Sequence, residues 1–312
     1  MKKIMCSLAL ILCAAMLFSC SVKGGDERSV AESREITDAD GNVVAMGFYD
    51  KNGDIVYEEQ SDSAGNISKR TFYDKEGRVT GVTEYASNIK TKETAYTYGG
   101  DAGSYTKKET VFSNKGISVS VTDTVYEKDL AVSRVYTMLD ANGKTVGVEE
   151  TSFEYKKDGT VLETISSDGK IIRECLQDGN GIVIYDYDTV NGTKTFYNEA
   201  TAPIRVENYD GEKLTSYCEN EYNEDGKVSR KTDYSGDGKL LSYTEYEYDK
   251  DGRITKANTF KEGEVLQYYS VYTYYDNGHT KSIVKFNADG TIHTSVTYDE
   301  DGKATVTPGE GR

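Results

Sequence analysis

The sequence predicts an all-β fold, a long antiparallel β-meander of repeated hairpins, and three observations predict it. A short unit recurs: an aromatic residue, Asp or Asn, two polar residues, Gly, one polar residue and an aliphatic one. Tyr49 to Ile55, Tyr73 to Val79, Tyr222 to Val228, Tyr248 to Ile254, Phe286 to Ile292 and Tyr298 to Ala304 are copies of it. Glycines recur with it, at Gly41, Gly53, Gly65 and Gly77 and again at Gly226, Gly238, Gly252, Gly278, Gly290 and Gly302, mostly 12 or 14 residues apart. The composition agrees: 26 Tyr and many Thr and Val favour strands, and only two Pro oppose them.

The first element is a leader. Met1-Lys2-Lys3, an apolar run from Ile4 to Phe18 and a small residue before Cys20 are the parts of a secretory signal over residues 1–19. The apolar run is about 15 residues, short of the roughly 20 that cross a bilayer. Residues 20–35 are polar with a Gly-Gly pair, as in a flexible tether.

A β-hairpin repeat domain is expected over residues 36–306, with 307–312 as a tail. In each unit Asp or Asn suits the first position of a type I turn, where its side chain caps backbone N–H groups. Gly follows where the chain needs φ > 0, closing a three-residue hairpin with a bulge. The aromatic then faces the aliphatic residue two after Gly, a cross-strand pair that stabilises a ladder by roughly 0.2–1 kcal/mol. Even spacing places the turn-flanking aromatics on one side, so Tyr222, Tyr248 and Tyr298 are expected to share a face. Connections this short exclude helical crossovers, so about 18–22 antiparallel strands are expected.

Residues 86–135 alternate without the motif, and read as longer strands of the same sheet. Irregular spacing around Gly179, Gly181, Gly192 and Pro203 suggests a bend near 179–203. A sheet this long twists and cannot stay flat. A curled or coiled single sheet, or two stacked sheets, is expected, with the Tyr, Ile and Val face inward.

Two resemblances add to this. Leu17-Phe18-Ser19-Cys20 resembles the lipobox of bacterial lipoproteins. It implies acylation of Cys20 after cleavage, and a lipid-anchored protein of the cell envelope, at the outer membrane or cell surface rather than the inner membrane. Two or three acyl chains exceed the marginal anchoring of one. The Tyr-Asp-x-x-Gly-x-aliphatic units, clear over residues 37–85 and 222–304, resemble the YD repeats of Rhs-type bacterial surface proteins, and also MORN-like repeats. That resemblance implies a β-rich surface or secreted repeat protein.

Charge and residue chemistry narrow the function classes. The formal charge is −16, about −18 without Lys2 and Lys3, the wrong sign for a nucleic-acid partner. Cys175 and Cys218 are the cysteines left beside Cys20, either as a disulfide or as two separate small core residues. The Asp-x-Asp-Gly runs at 38–41 and 249–252 belong to turns; Asn258 stands where a calcium loop would place its closing glutamate. His279 and His293 lack metal-ligand spacing. No catalytic group, metal site or cofactor is expected. The densest aromatic cluster, Tyr243, Tyr246, Tyr268, Tyr269, Tyr272 and Tyr274, is the candidate for stacking on a glycan or protein ligand. The expected function is a binding or structural module without catalysis. The alternative is an envelope enzyme acting on carbohydrate or peptidoglycan through paired carboxylates such as Glu245 and Glu247.

Overall fold

The computed structural model describes residues 28–309. The signal and Cys20 lie outside these residues. The described residues hold 23 strands and no helix, one strand more than the upper expectation. The chain divides after Gly147 into two compact units. The first holds β1 (Glu32–Thr37), β2 (Val43–Tyr49), β3 (Ile55–Ser61), β4 (Ile67–Tyr73) and β5 (Val79–Ala86). It continues through β6 (Ile89–Tyr98), β7 (Tyr105–Phe112), β8 (Ser118–Glu127) and β9 (Leu130–Leu139). The division falls within β10 (Thr145–Tyr155).

The second unit continues with β11 (Val161–Ser167), β12 (Lys170–Gln177), β13 (Val183–Asp188), β14 (Thr193–Tyr197) and β15 (Pro203–Asp210). Then come β16 (Lys213–Tyr222), β17 (Val228–Ser235), β18 (Leu240–Tyr248) and β19 (Ile254–Lys261). It ends with β20 (Val265–Tyr274), β21 (Thr280–Asn287), β22 (Ile292–Tyr298) and β23 (Ala304–Pro308). Within each unit every strand pairs antiparallel with its neighbours in sequence.

The repeated unit forms the expected turn. At 249–253, Asp249 N–H donates to Arg253 O and Gly252 N–H to Asp249 O, both at 2.9 Å. Asp249 Oδ1 accepts from the N–H groups of Asp251 and Arg253, both at 2.9 Å, and Oδ2 accepts from Arg253 Nε at 2.7 Å. Gly252 has φ +79°, which only glycine adopts without strain. Other connections are tighter. Ser87-Asn88, Lys128-Asp129 and Asp168-Gly169 each carry two consecutive positive-φ residues, the two-residue turn whose twist matches the flanking strands.

Beside most turns the register shifts by one residue, though not in the β6–β7, β10–β11, β13–β14 and β22–β23 hairpins. Tyr248 lies opposite Ile254, as expected, but Glu247 lies opposite Lys256. The same bulge follows Tyr49, Tyr73, Tyr222 and Tyr274. A bulge adds a residue on one strand and increases local twist. Following the pairings through the second unit puts Tyr222, Tyr248 and Tyr298 on one face, as predicted.

Each unit is a single layer. No large side chain is fully buried among the described residues, and the buried positions are mainly small or Thr: Ala45, Thr71, Thr94, Thr124, Thr232, Ala257 and Thr259. The expected inward-facing apolar side, and the alternative of stacked sheets, are therefore corrected. Stability comes from contacts along each face instead. Tyr217, Tyr243 and Tyr269, spaced 26 residues apart, stack on Tyr234, Phe260 and Phe286 of the next strand, with centroids 4.6, 4.9 and 4.8 Å apart. From the preceding strand Arg205 and Arg230 lie 3.8 Å over Tyr217 and Tyr243, and Lys256 lies 5.2 Å over Tyr269. Each ring is thus covered on both sides without a second sheet.

Two boundaries also change. β1 begins at Glu32, inside the expected tether, because Glu32–Thr37 pairs with β2 from Glu32↔Tyr49 to Thr37↔Val43. Its polar composition is that of an edge strand. β23 reaches Pro308, two residues past the expected end of the repeats. The region 179–203 holds ordinary hairpins whose strands are short, β14 having five residues, and Pro203 takes the first place of its strand, where no ladder N–H is needed.

Candidate functional site

The six tyrosines singled out in sequence do not form one surface. Cross-strand pairing places Tyr243 with Phe260 and Tyr269 with Phe286 on one face. Tyr246, Tyr268, Tyr272 and Tyr274 lie on the other, since successive residues of a strand alternate. Tyr243, 6 % exposed, and Tyr269 are enclosed between a cation and a second ring, which leaves neither ring face for a ligand. On the opposite face Lys285 Nζ lies 3.5 Å over Tyr268. Burial raises the phenols of Tyr246 and Tyr272 above their usual range.

Tyr274 belongs to a recurring latch. Its hydroxyl donates to Ile254 O at 2.7 Å, while Arg253 lies 4.9 Å over its ring. Tyr248 donates to Val228 O with Lys227 5.6 Å over the ring, and Tyr98 to Val79 O with Arg78 at 4.5 Å. Tyr222 donates to Pro203 O at 2.7 Å. Each accepting carbonyl lies past the last backbone pair of its ladder: the β19–β20 pairing stops at Lys256↔Val271, two residues short of Ile254. The hydroxyl therefore satisfies an acceptor that the strands leave open.

Of the two alternatives open for Cys175 and Cys218, the strand order excludes the disulfide and leaves two separate residues. Cys175, Asp186, Thr195, Val206 and Cys218 form one cross-strand row, so the cysteines lie four strands, about 19 Å, apart. A disulfide needs Cα atoms within about 7 Å. Both thiols are free, and burial raises that of Cys175. Glu245 and Glu247 project from one face of β18 and are exposed, as are His279 and His293.

A concavity not foreseen in the sequence lies in the first unit. The β6–β7 connection, Gly99 to Ser104, is longer than its neighbours and is pinned to the next turn on the same side: Asp129 N–H donates to Gly103 O at 2.9 Å. A Cβ on Gly103 would come within 2.8 Å of Lys128 Cα, so only glycine permits this approach. The resulting open cleft, about 590 Å³, is lined by residues including Tyr98, Asp101, Tyr105, Tyr126, Glu127 and Lys128, with Thr97, Ser104 and Thr106. Tyr105 and Tyr126 stack at 4.4 Å, and Tyr98 leans on Tyr105 at 6.0 Å. Burial, with the neighbouring Tyr126 and Asp129, raises the Tyr105 phenol. The only sequence signal for this cleft is the Gly-rich break at 99–104 in the turn spacing.

Fold and cleft together define an all-β repeat protein of single-layer antiparallel hairpins. No family model matches the chain, and no curated protein sequence does. Among solved structures it is similar to the crystal structure of TcdB2-TccC3-TEV, at 10% identity and a TM-score of 0.26 over 89% of this chain. The chain spans 18% of the length of that one. It is also similar to a porin-like protein from Bacteroides vulgatus, at 9% identity and a TM-score of 0.20 over 90% of this chain and 99% of that one. A porin-like protein from Bacteroides uniformis matches at 11% identity and a TM-score of 0.20, over 70% and 94% of the two chains. The fold assignment rests on the strand pairing, not on these likenesses.

Proposed function

We propose that this chain is a lipid-anchored protein of the bacterial cell envelope whose hairpin repeats act as a binding or structural module, without catalysis. The observation that carries the module reading is the single-layer construction. A sheet whose rings and cations cover one another needs no second layer, and the cleft at β6–β8 is open to a glycan or protein partner. Anchoring rests on the lipobox-like Leu17 to Cys20 and on the polar residues that follow it. With the acidic body repelled by anionic headgroups, the acyl chains carry membrane attachment. The test is expression of the whole chain in a bacterial host supplied with an alkyne-bearing palmitate. Label on the protein and its recovery with membranes are expected, and Cys20→Ala is expected to abolish both. Label retained by that variant, or a wild-type chain recovered free of lipid, overturns the anchor.

A further inference from the structure

We propose that the cleft between the Gly99–Ser104 connection and the Lys128-Asp129 turn binds a neutral sugar residue. This rests on the module reading and names its ligand. The cleft's volume of about 590 Å³ lies within the range of small-ligand sites. Its lining is the mixture a sugar requires, with aromatic carbon beside hydroxyl and carboxylate groups. Three tyrosines, Tyr98, Tyr105 and Tyr126, contribute to it. Tyr98 spends its hydroxyl on Val79 O, whereas those of Tyr105 and Tyr126 have no hydrogen-bond partner among the described residues.

The same holds for the charged groups. Asp101 and Glu127 are exposed at the cleft, and neither carboxylate has a hydrogen bond or ion pair among the described residues; nor has the Lys128 ammonium. This contrasts with Asp74 and Asp249, whose carboxylates are taken up by their own turns and by Arg78 and Arg253. A free carboxylate can accept from two neighbouring hydroxyls of a pyranose ring, and an ammonium can donate to a third oxygen. Two carboxylates against one ammonium disfavour phosphorylated or sulfated ligands. Gly103 holds the connection down on Lys128, so the wall bearing Asp101 is positioned before any ligand arrives, which lowers the ordering cost of binding.

The test uses the full chain, purified in detergent, and saturation-transfer NMR with maltohexaose, cellohexaose, chitohexaose and a sulfated oligosaccharide. At least one neutral oligosaccharide is expected to receive saturation, and the sulfated one none. Asp101→Asn, an exposed change that leaves the sheet intact by circular dichroism, is expected to weaken binding about tenfold or more, the effect of losing a charge-assisted hydrogen bond. Gly103→Ala should weaken it similarly by lifting the connection. Tyr243→Phe, in the second unit, should not. Absence of transfer to every neutral probe at millimolar concentration overturns the proposal, as does binding unchanged in Asp101→Asn. Neither result bears on palmitate labelling at Cys20, so the anchor and the sugar site fail separately.

Discussion

The hydroxyl of Tyr248 donates to the carbonyl of Val228, 2.7 Å away across one hairpin and twenty residues of chain. The contact repeats 26 residues later between Tyr274 and Ile254. Each tyrosine flanks one turn and closes the open end of the ladder before it, so neighbouring hairpins are tied where backbone pairing stops. Tyr248→Phe and Tyr274→Phe keep the ring and its cation but orphan a carbonyl. Each is expected to lower unfolding free energy by about 1 kcal/mol, read as a fall in the urea midpoint at unchanged slope.

Alkaline pH should act on the same class of group. Burial, then the Glu58 carboxylate, pushes Tyr73 up to about 12, and the hydrogen bond to Glu207 pushes Tyr209 to about 12. Raised phenols mean that the fold favours the neutral form. That contribution is complete below the unfolded value near 10 and is lost as pH climbs through the folded values towards 12. Phenolate absorbance at 295 nm should therefore rise late and together with the loss of strand circular dichroism. Titration of all tyrosines near their ordinary value with the sheet intact would contradict this.

Acid works through the turn aspartates. Backbone donation from Arg253 holds Asp249 below its usual range, and donation from Asn66 and from Ile182 does the same for Asp62 and Asp178. These carboxylates favour the fold above their unfolded value of about 4, and that share disappears as pH falls through the lower folded values. The urea midpoint should fall below pH 4, and Asp249→Asn should reduce the steepness of that acid limb.

Tyr243 separates packing from ligand stacking. It is 6 % exposed between Arg230 and Phe260, so Tyr243→Ala should cost about 3 kcal/mol of stability. Oligosaccharide affinity of the still-folded protein should not change. Unaltered thermal stability would remove the sandwich from the account of this fold.

Cys175 and Cys218 should remain thiols. Unfolded without reductant, the protein should react with Ellman's reagent at both. In the native state Cys218, half-buried, should react before Cys175, whose thiol is buried and raised by that burial. A mass two hydrogen atoms short, restored by reductant, would place them in a disulfide.

How much was legible in the sequence follows from range. Asp249 reaches Arg253 and Tyr248 faces Ile254 within one turn, so spacing alone exposes both, and the placement of Tyr222, Tyr248 and Tyr298 on one face follows. The six-tyrosine cluster failed because nearness along the chain is not a shared face: strand alternation puts Tyr243 and Tyr246, and likewise Tyr268 and Tyr269, on opposite sides. The missed β1 shows the converse, a polar segment made into a strand by its partner rather than by its own pattern.

What the sequence determined by itself was local: the hairpin turns, the antiparallel order and the strand-forming composition, all set by φ preferences and side-chain hydrogen bonds within about five residues. Only the tertiary structure decided that each unit is one layer, that Tyr217, Tyr243 and Tyr269 serve as its packing, that Cys175 and Cys218 are four strands apart, and that Gly103 meets Lys128 to form a cleft. Those relations join residues on different strands. They depend on register accumulated over successive bulges, which no short window of sequence contains.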